Sequence, residues 1–392
     1  MNKLLPLGCC LLWPTVGFAL EFSGNFSVEG RHFVHSPLWP EQAAQHMGLS
    51  IQPELRHRWD NGRKIATFIP FYHWEAQDEQ HRYSDIRQFD LVLAQGDWEI
   101  QAGISKVFWG VTESQHLVDI INQTDNLAGI DGEEKLGQPL LRLSRLLANG
   151  ALDFYVLPYF RERQFAGNNS RLRPALPVLD EARYESEREQ QQVDIALRWA
   201  YTYENIDLAA YWFKGTARQP LLQAQTKNEQ MILQPYYPQI NQTALTLQHT
   251  GDAWLWKLEA LYQKNHEQSH AAAVGGFEYT WSGVFDSAVD LGLLAEYHRD
   301  SRGLSASNPW QKDLFIGNRW GFNDVQSTEI LAGVLVDLDQ QGRSLRIEAS
   351  RRLGDNMKLN FESQWFSHAV PQEAFYDLRA DDYLQLEWQW FF

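Results

Sequence analysis

Apolar and polar residues alternate along most of the chain with a period of two, the repeat of a strand that shows one face to each side. In 381–392, DDYLQLEWQWFF, the residues Leu384, Leu386, Trp388, Trp390 and Phe392 share one phase, while Gln385, Glu387 and Gln389 share the other. Residues 22–33 alternate through Phe22, Gly24, Phe26 and Val28. Residues 49–59 set Leu49, Ile51, Leu55 and Trp59 against Gln52, Glu54, Arg56 and Arg58. No later run reaches the roughly 18 apolar residues that a membrane helix needs, so the pattern predicts strands throughout.

Turn-forming residues punctuate these strands at every second connection. They are Asp60-Asn61-Gly62, Gln95-Gly96-Asp97, Ala148-Asn149-Gly150, Tyr203-Glu204-Asn205, Thr250-Gly251-Asp252, Ser282-Gly283, Gly321-Phe322-Asn323-Asp324 and Leu353-Gly354-Asp355-Asn356. The first reads as a two-residue hairpin signal, because Asn and Gly tolerate positive φ. The intervening connections are mostly longer: 34–47, 76–83, 107–138, 162–188, 215–234, 299–313 and 368–380, with short ones near 266–269 and 338–343. Tight turns at one end and long loops at the other predict an all-β fold, a transmembrane antiparallel β-barrel of about 18 strands. Sixteen is the alternative count, because the strand near 314–320 is short.

Aromatics supply a separate test of that topology. Trp59, Trp98, Trp199, Tyr201, Tyr203, Trp254, Trp256, Phe277, Tyr279, Trp281, Trp388, Trp390 and Phe392 bunch beside the tight turns with period two. An outward girdle at the membrane surface explains that bunching, whereas a soluble sandwich would put such rings in mid-strand.

The amino end, MNKLLPLGCCLLWPTVGFA, places Lys3 before an apolar run and offers a small-x-small site at Gly17-Phe18-Ala19. It reads as a signal peptide, 1–19, with 20–392 the barrel. Cys9 and Cys10 both fall within it, so the mature chain has no thiol for a disulfide. The formal charge of −16 argues against a nucleic-acid partner. The expected location is the outer membrane of a Gram-negative bacterium, with its lipid as the first partner.

On the phase opposite to the apolar one, Glu99, Arg198, Lys257, Glu259, Arg346, Glu348, Lys358, Glu362 and Glu387 are expected to line the lumen. Their signs are mixed, so no ion preference follows. The long segment 107–138 carries Glu113, Asp119, Asp125, Asp131, Glu133 and Glu134, candidates to line a constriction. Leu117, Val118, Ile120 and Ile121 in the same segment predict a short helical turn that anchors it.

Three resemblances bear on this reading. The alternating strand ending in Phe392 resembles the closing strand of Gram-negative outer-membrane β-barrels, which implies that Trp388, Trp390 and Phe392 serve as an assembly signal for the barrel assembly machinery. The segment 107–138 resembles, in position and length, the loop after the fifth strand of general porins, which folds inward and sets the constriction. The stretches Ile104-Ser105-Lys106-Val107-Phe108-Trp109-Gly110, Asp119-Ile120-Ile121-Asn122 and Phe322-Asn323-Asp324 resemble patterns in a porin-like family of outer-membrane barrels, largely uncharacterised. Together they imply a passive channel for small polar or charged solutes. The alternatives are a plugged barrel that moves a hydrophobic or lipid-like compound with a periplasmic partner, and a surface enzyme borne on the barrel.

Catalytic chemistry finds little support in the spacing of residues. His266-Glu267-Gln268-Ser269-His270 matches the zinc-protease pattern, but that pattern needs a helix and this stretch joins two strands. His298 and Asp300, with Ser301 or His368, are the residues that a surface enzyme would draft. No cofactor and no metal are expected.

Overall fold

The computed structural model describes residues 20–392 apart from 307, 309 and 372; the expected signal peptide, with both cysteines, lies outside the described residues. The strands in chain order are β1 (Leu20–Phe33), β2 (Gln45–Trp59), β3 (Lys64–Glu75), β4 (Tyr83–Gln95), β5 (Trp98–Ser105), β6 (Gln138–Leu147) and β7 (Gly150–Leu157). Then follow β8 (Arg183–Tyr184), β9 (Asp194–Tyr203), β10 (Ile206–Thr216), β11 (Leu221–Lys227), β12 (Gln230–Tyr237), β13 (Gln239–Thr250) and β14 (Trp254–Lys264). The last are β15 (Ser269–Trp281), β16 (Asp290–Asp300), β17 (Asp313–Gly321), β18 (Glu329–Asp337), β19 (Arg343–Arg352), β20 (Met357–Ser367) and β21 (Tyr383–Phe391).

Eighteen of these form one antiparallel sheet in which each strand pairs with its neighbours in sequence, and β21 pairs back onto β1 from Phe391↔Asn25 to Tyr383↔Phe33. The sheet is therefore closed. Closure matters because an open edge in lipid would leave a row of backbone donors and acceptors unpaired. Gly24 and Phe392 complete the seam by exchanging two backbone hydrogen bonds of 3.0 Å. Pro70, which cannot donate to a ladder, sits where the β3–β4 register shifts.

The two phases of the strands have opposite environments. Phe22, Leu386 and Trp390 are 61%, 51% and 40% exposed, whereas Ser27, Gln101 and Glu259 are 3%, 8% and 0% exposed. Apolar side chains outward and polar ones inward make this a membrane-spanning barrel. The girdle residues Trp98, Trp199, Trp254, Trp256 and Trp281 are exposed at the end of the expected tight turns, with Trp254 and Trp256 stacked at 5.5 Å; two of those eight connections are longer than expected, 282–289 and 322–328. The first turn differs in detail from its two-residue expectation: Trp59 pairs with Lys64, so four residues connect β2 to β3.

At the opposite end the connections build structure of their own. The segment 215–234, expected to be a loop, holds the hairpin β11–β12, and β8 adds to β12 in parallel as a small three-stranded sheet outside the barrel wall. The segment joining β7 to β9 crosses the mouth. Its Arg171, wholly buried, donates from Nε to Asp381 at 2.7 Å and from Nη1 to the carbonyl of His35 at 3.2 Å, with its guanidinium 4.6 Å from the Phe33 ring. The amide of Gln42 donates to the Ser170 carbonyl, the Ala175 N–H donates to Asp377, and the Gly167 N–H donates to Asp78. These contacts knit four connections over the side of the mouth nearest β1.

Candidate functional site

Residues 106–137 leave β5, reach inward-facing side chains on the far wall, and return to β6. The expected helical turn is reduced to one hydrogen-bonded turn at 117–118, closed by the Asp119 N–H on the His116 carbonyl at 3.2 Å, and no helix forms at 117–121. The four apolar residues do anchor the loop, by packing against the wall rather than by coiling. Val118, Ile120 and Ile121 are buried in one cluster with Tyr155, Tyr211, Phe213, Ile240 and Leu261, and Leu117 packs on its edge. Trp109 joins them, its ring 4.7 Å from that of Tyr211 and 5.7 Å from that of Tyr155. Packing supplies what a short helix could not, since three or four residues gain little from coiling alone.

Two carboxylates on the wall fasten the stretch 111–118. Glu259 of β14, fully buried, accepts from the backbone N–H of Val111 at 2.6 Å, of Thr112 at 3.0 Å and of Val118 at 3.0 Å, and from the Thr112 hydroxyl at 2.8 Å. Glu296 of β16 accepts from the N–H of Glu113 and of Ser114, both at 2.8 Å, and from the Ser114 hydroxyl. Backbone donors that would otherwise be orphaned are satisfied by charge-assisted bonds, the stronger kind. The approach demands glycine at 110, whose φ is +147° and where a Cβ would lie 3.0 Å from Glu259 Oε1.

The six acidic loop residues separate into two groups. Asp119 and Asp125 are buried: the first pairs with Lys135 at 3.3 Å and the second accepts from Arg87 at 2.6 Å and from the Tyr83 hydroxyl at 2.9 Å. Burial raises the Asp119 carboxyl above its ordinary range against the pull of Lys135. Glu113 meets Arg319 at 2.7 Å and Lys257 at 3.7 Å, and Asp131 meets Arg346 at 2.6 Å. Glu133 and Glu134 are more exposed, paired with His116 at 3.1 Å and Lys106 at 3.4 Å. Of the six, Glu113, Asp119, Asp131 and Glu133 line the open cavities described next, Asp119 at the outermost beside its partner Lys135.

The expected lumen residues also fall into distinct places. Glu99 pairs with Arg142, and Arg198 with Asp153 at 3.0 Å, around a cavity beneath the loop on the β4–β9 side. Arg346 is held by Asp131, by Glu348 at 2.5 Å and by Glu362 at 3.6 Å. Lys358 and Glu387 line a cavity toward the tight-turn end, where Asn360 donates to Glu387 at 3.0 Å. Glu259 is covered by the loop. Trp388 and Trp390 point outward on β21, and the Phe392 ring lies 5.5 Å from that of Phe22 at the seam.

Three cavities lie between the loop and the β10–β21 wall. The outermost, of about 300 Å³, shares His116, Ile130, Asp131 and Trp310 with the next, of about 370 Å³. The second shares Glu113, Leu331 and Glu348 with a third of about 350 Å³. Sequence periodicity did not single out Glu296, Glu278, Arg319 or Arg87, because each is one polar residue among many on an inward phase. Only knowing where the loop lands distinguishes them.

The residues that a surface enzyme would draft do not assemble as such. His298 Nε2 lies 2.8 Å from the Ser114 hydroxyl and its Nδ1 3.2 Å from the side-chain Oε1 of Gln115, while Asp300 pairs with Arg302 at 2.6 Å. Ser301 accepts from the Ala271 N–H. His266 is exposed on the hairpin between β14 and β15 and His270 is buried on β15, so the zinc-protease spacing has no helix to act through.

No family model matches the chain, and no curated protein matches it. Solved structures share its fold across nearly the whole length. OccK11 (OpdR) of Pseudomonas aeruginosa aligns with a TM-score of 0.56 at 10% identity, covering 95% of each chain. OpdQ of the same organism gives 0.55 at 10%, covering 95% of this chain and 97% of that one. OccD3 (OpdP) gives 0.55 at 10%, covering 96% and 92%. At that identity the likeness is one of fold, a porin-like outer-membrane barrel.

Proposed function

We propose that this barrel is a passive channel for small polar and charged solutes, with an off-centre route. The observation that carries the reading is the run of three cavities between the inward loop and the β10–β21 wall, each sharing lining residues with the next. The docked loop packs on β7, β10 and β13–β16 and the Arg171 contacts roof the mouth nearest β1, so solutes follow the run of three cavities. Selectivity then arises at Glu113 and Asp131, where the loop faces Arg319 and Arg346 across the path. Preorganised charges at a narrow point select by size and by placement of charge. The closing strand, with Trp388, Trp390 and Phe392, engages the assembly machinery during insertion.

Liposome swelling tests this directly. Refolded barrel should admit small sugars at rates that fall with solute size, and deletion of 112–134 should admit larger ones. Folded protein that admits none, with or without the deletion, would refute the channel.

A further inference from the structure

The cavity of about 370 Å³ is not lined as a water-filled pore needs. The inward phases of β17, β18 and β20 present Phe315, Leu331, Leu335 and Phe366 there, joined by Trp310 and Phe375 from the connections. Two glycines make room for the largest ring. A Cβ at Gly333 would lie 2.3 Å from the Phe315 ring and one at Gly317 would lie 3.0 Å from it, so the ring lies flat along the wall and leaves the cavity open. Phe366 and Phe375 stand 5.5 Å apart beside it.

Charge on the other side of the cavity is unbalanced. Glu113, Asp131, Glu133 and Glu348 line it, against Arg346 as the one lysine or arginine among its described lining residues. The next cavity inward adds Glu329, Glu362 and Glu387, against Arg319 and Lys358. Both arginines already hold carboxylates at 2.5–2.7 Å. An entering anion must displace those partners, while an entering cation meets negative charge in excess and aromatic faces that attract it.

We infer that the cavity between the loop and β17–β20 is a binding site for amphipathic organic cations, an ammonium joined to an apolar or aromatic body. The inference rests on the channel reading and names the solute class that the route favours. The apolar wall takes the body and the carboxylates of the loop and β19 take the ammonium. A purely hydrophilic cation gains only the second contact, and an aromatic acid only the first.

The test is calorimetric binding to the refolded barrel in detergent, paired with conductance in planar bilayers. The probes are 2-phenylethylammonium, ethanolammonium and phenylacetate. The phenylethylammonium ion should bind in the millimolar range or tighter and interrupt the current, with the other two at least tenfold weaker. Leu331→Ser, checked for heat-modifiable migration, should weaken it roughly fivefold to tenfold by removing apolar contact, and leave ethanolammonium unchanged. Equal binding of all three, preference for phenylacetate, or indifference to Leu331→Ser would overturn the inference. Selective binding without current would uphold the site and overturn the channel. Current without selective binding would do the reverse.

Discussion

Replacing Glu259 by alanine isolates the fastening of the loop from the integrity of the barrel. The carboxylate has four donors from the loop: three backbone N–H groups and one hydroxyl. Hydrogen bonds to a charged group contribute about 1.5–3 kcal/mol each, and they are not additive. Removing the carboxylate leaves neutral loop donors unsatisfied at about 1–3 kcal/mol each, and without additivity the loss is about 3–5 kcal/mol in all. The barrel ladder stays intact, because Glu259 pairs with Thr246 and Val274 through its backbone. The loss therefore falls on the closed state of the loop, and exchange of the Val111, Thr112 and Val118 amides should accelerate by roughly two to three orders of magnitude, until limited by the loop's own opening. Hydrogen exchange with heat-modifiable migration as the folding control reads this out. Protection of those three amides unchanged in a folded Glu259→Ala barrel would refute the reasoning.

Other expectations follow from single contacts. Arg171→Met should loosen the roof over the mouth by about 3–5 kcal/mol by leaving Asp381 buried and unpaired, seen as faster proteolysis within 158–182; Arg171→Met with Asp381→Leu should recover most of the resistance. For His116, burial pulls the imidazole down, but the bond and charge of Glu133 with the charges of Glu259 and Asp119 outweigh it, so the folded value stands above the ordinary 6.5. Its contribution to loop docking is thus complete below about pH 6.5 and is lost as pH rises through the folded value. Exchange at 130–134 should quicken between pH 6 and pH 8.5 beyond the intrinsic rate, and His116→Gln should abolish that excess. Gly333→Val should push the Phe315 ring into the path and lower conductance, and Phe315→Ala added to it should restore the current.

The barrel was legible in the sequence because a membrane enforces a period of two: every outward residue must be apolar, and turns such as Asn149-Gly150 punctuate the repeat. The location of the long loop followed from its length. Its conformation did not, since Leu117 to Ile121 make the same local pattern whether they coil or pack against Tyr211 and Phe213. Their partners lie far along the chain, beyond the reach of periodicity. For the same reason the acidic residues of the loop looked equivalent, although Asp125 is buried in the loop's own fastening while Glu113 and Asp131 face the path. The apolar patch of Phe315, Leu331, Leu335 and Phe366 breaks the rule of a polar inward phase, and such a breach is expected where function overrides it.

The most direct test of the account is single-channel conductance of the refolded barrel in a planar bilayer under a salt gradient. Discrete steps, with a reversal potential favouring cations that weakens when Glu113 and Asp131 are neutralised but not when the buried Asp125 is, would bear out a route past the loop. Silence from folded protein, or a selectivity indifferent to Glu113 and Asp131, would contradict it.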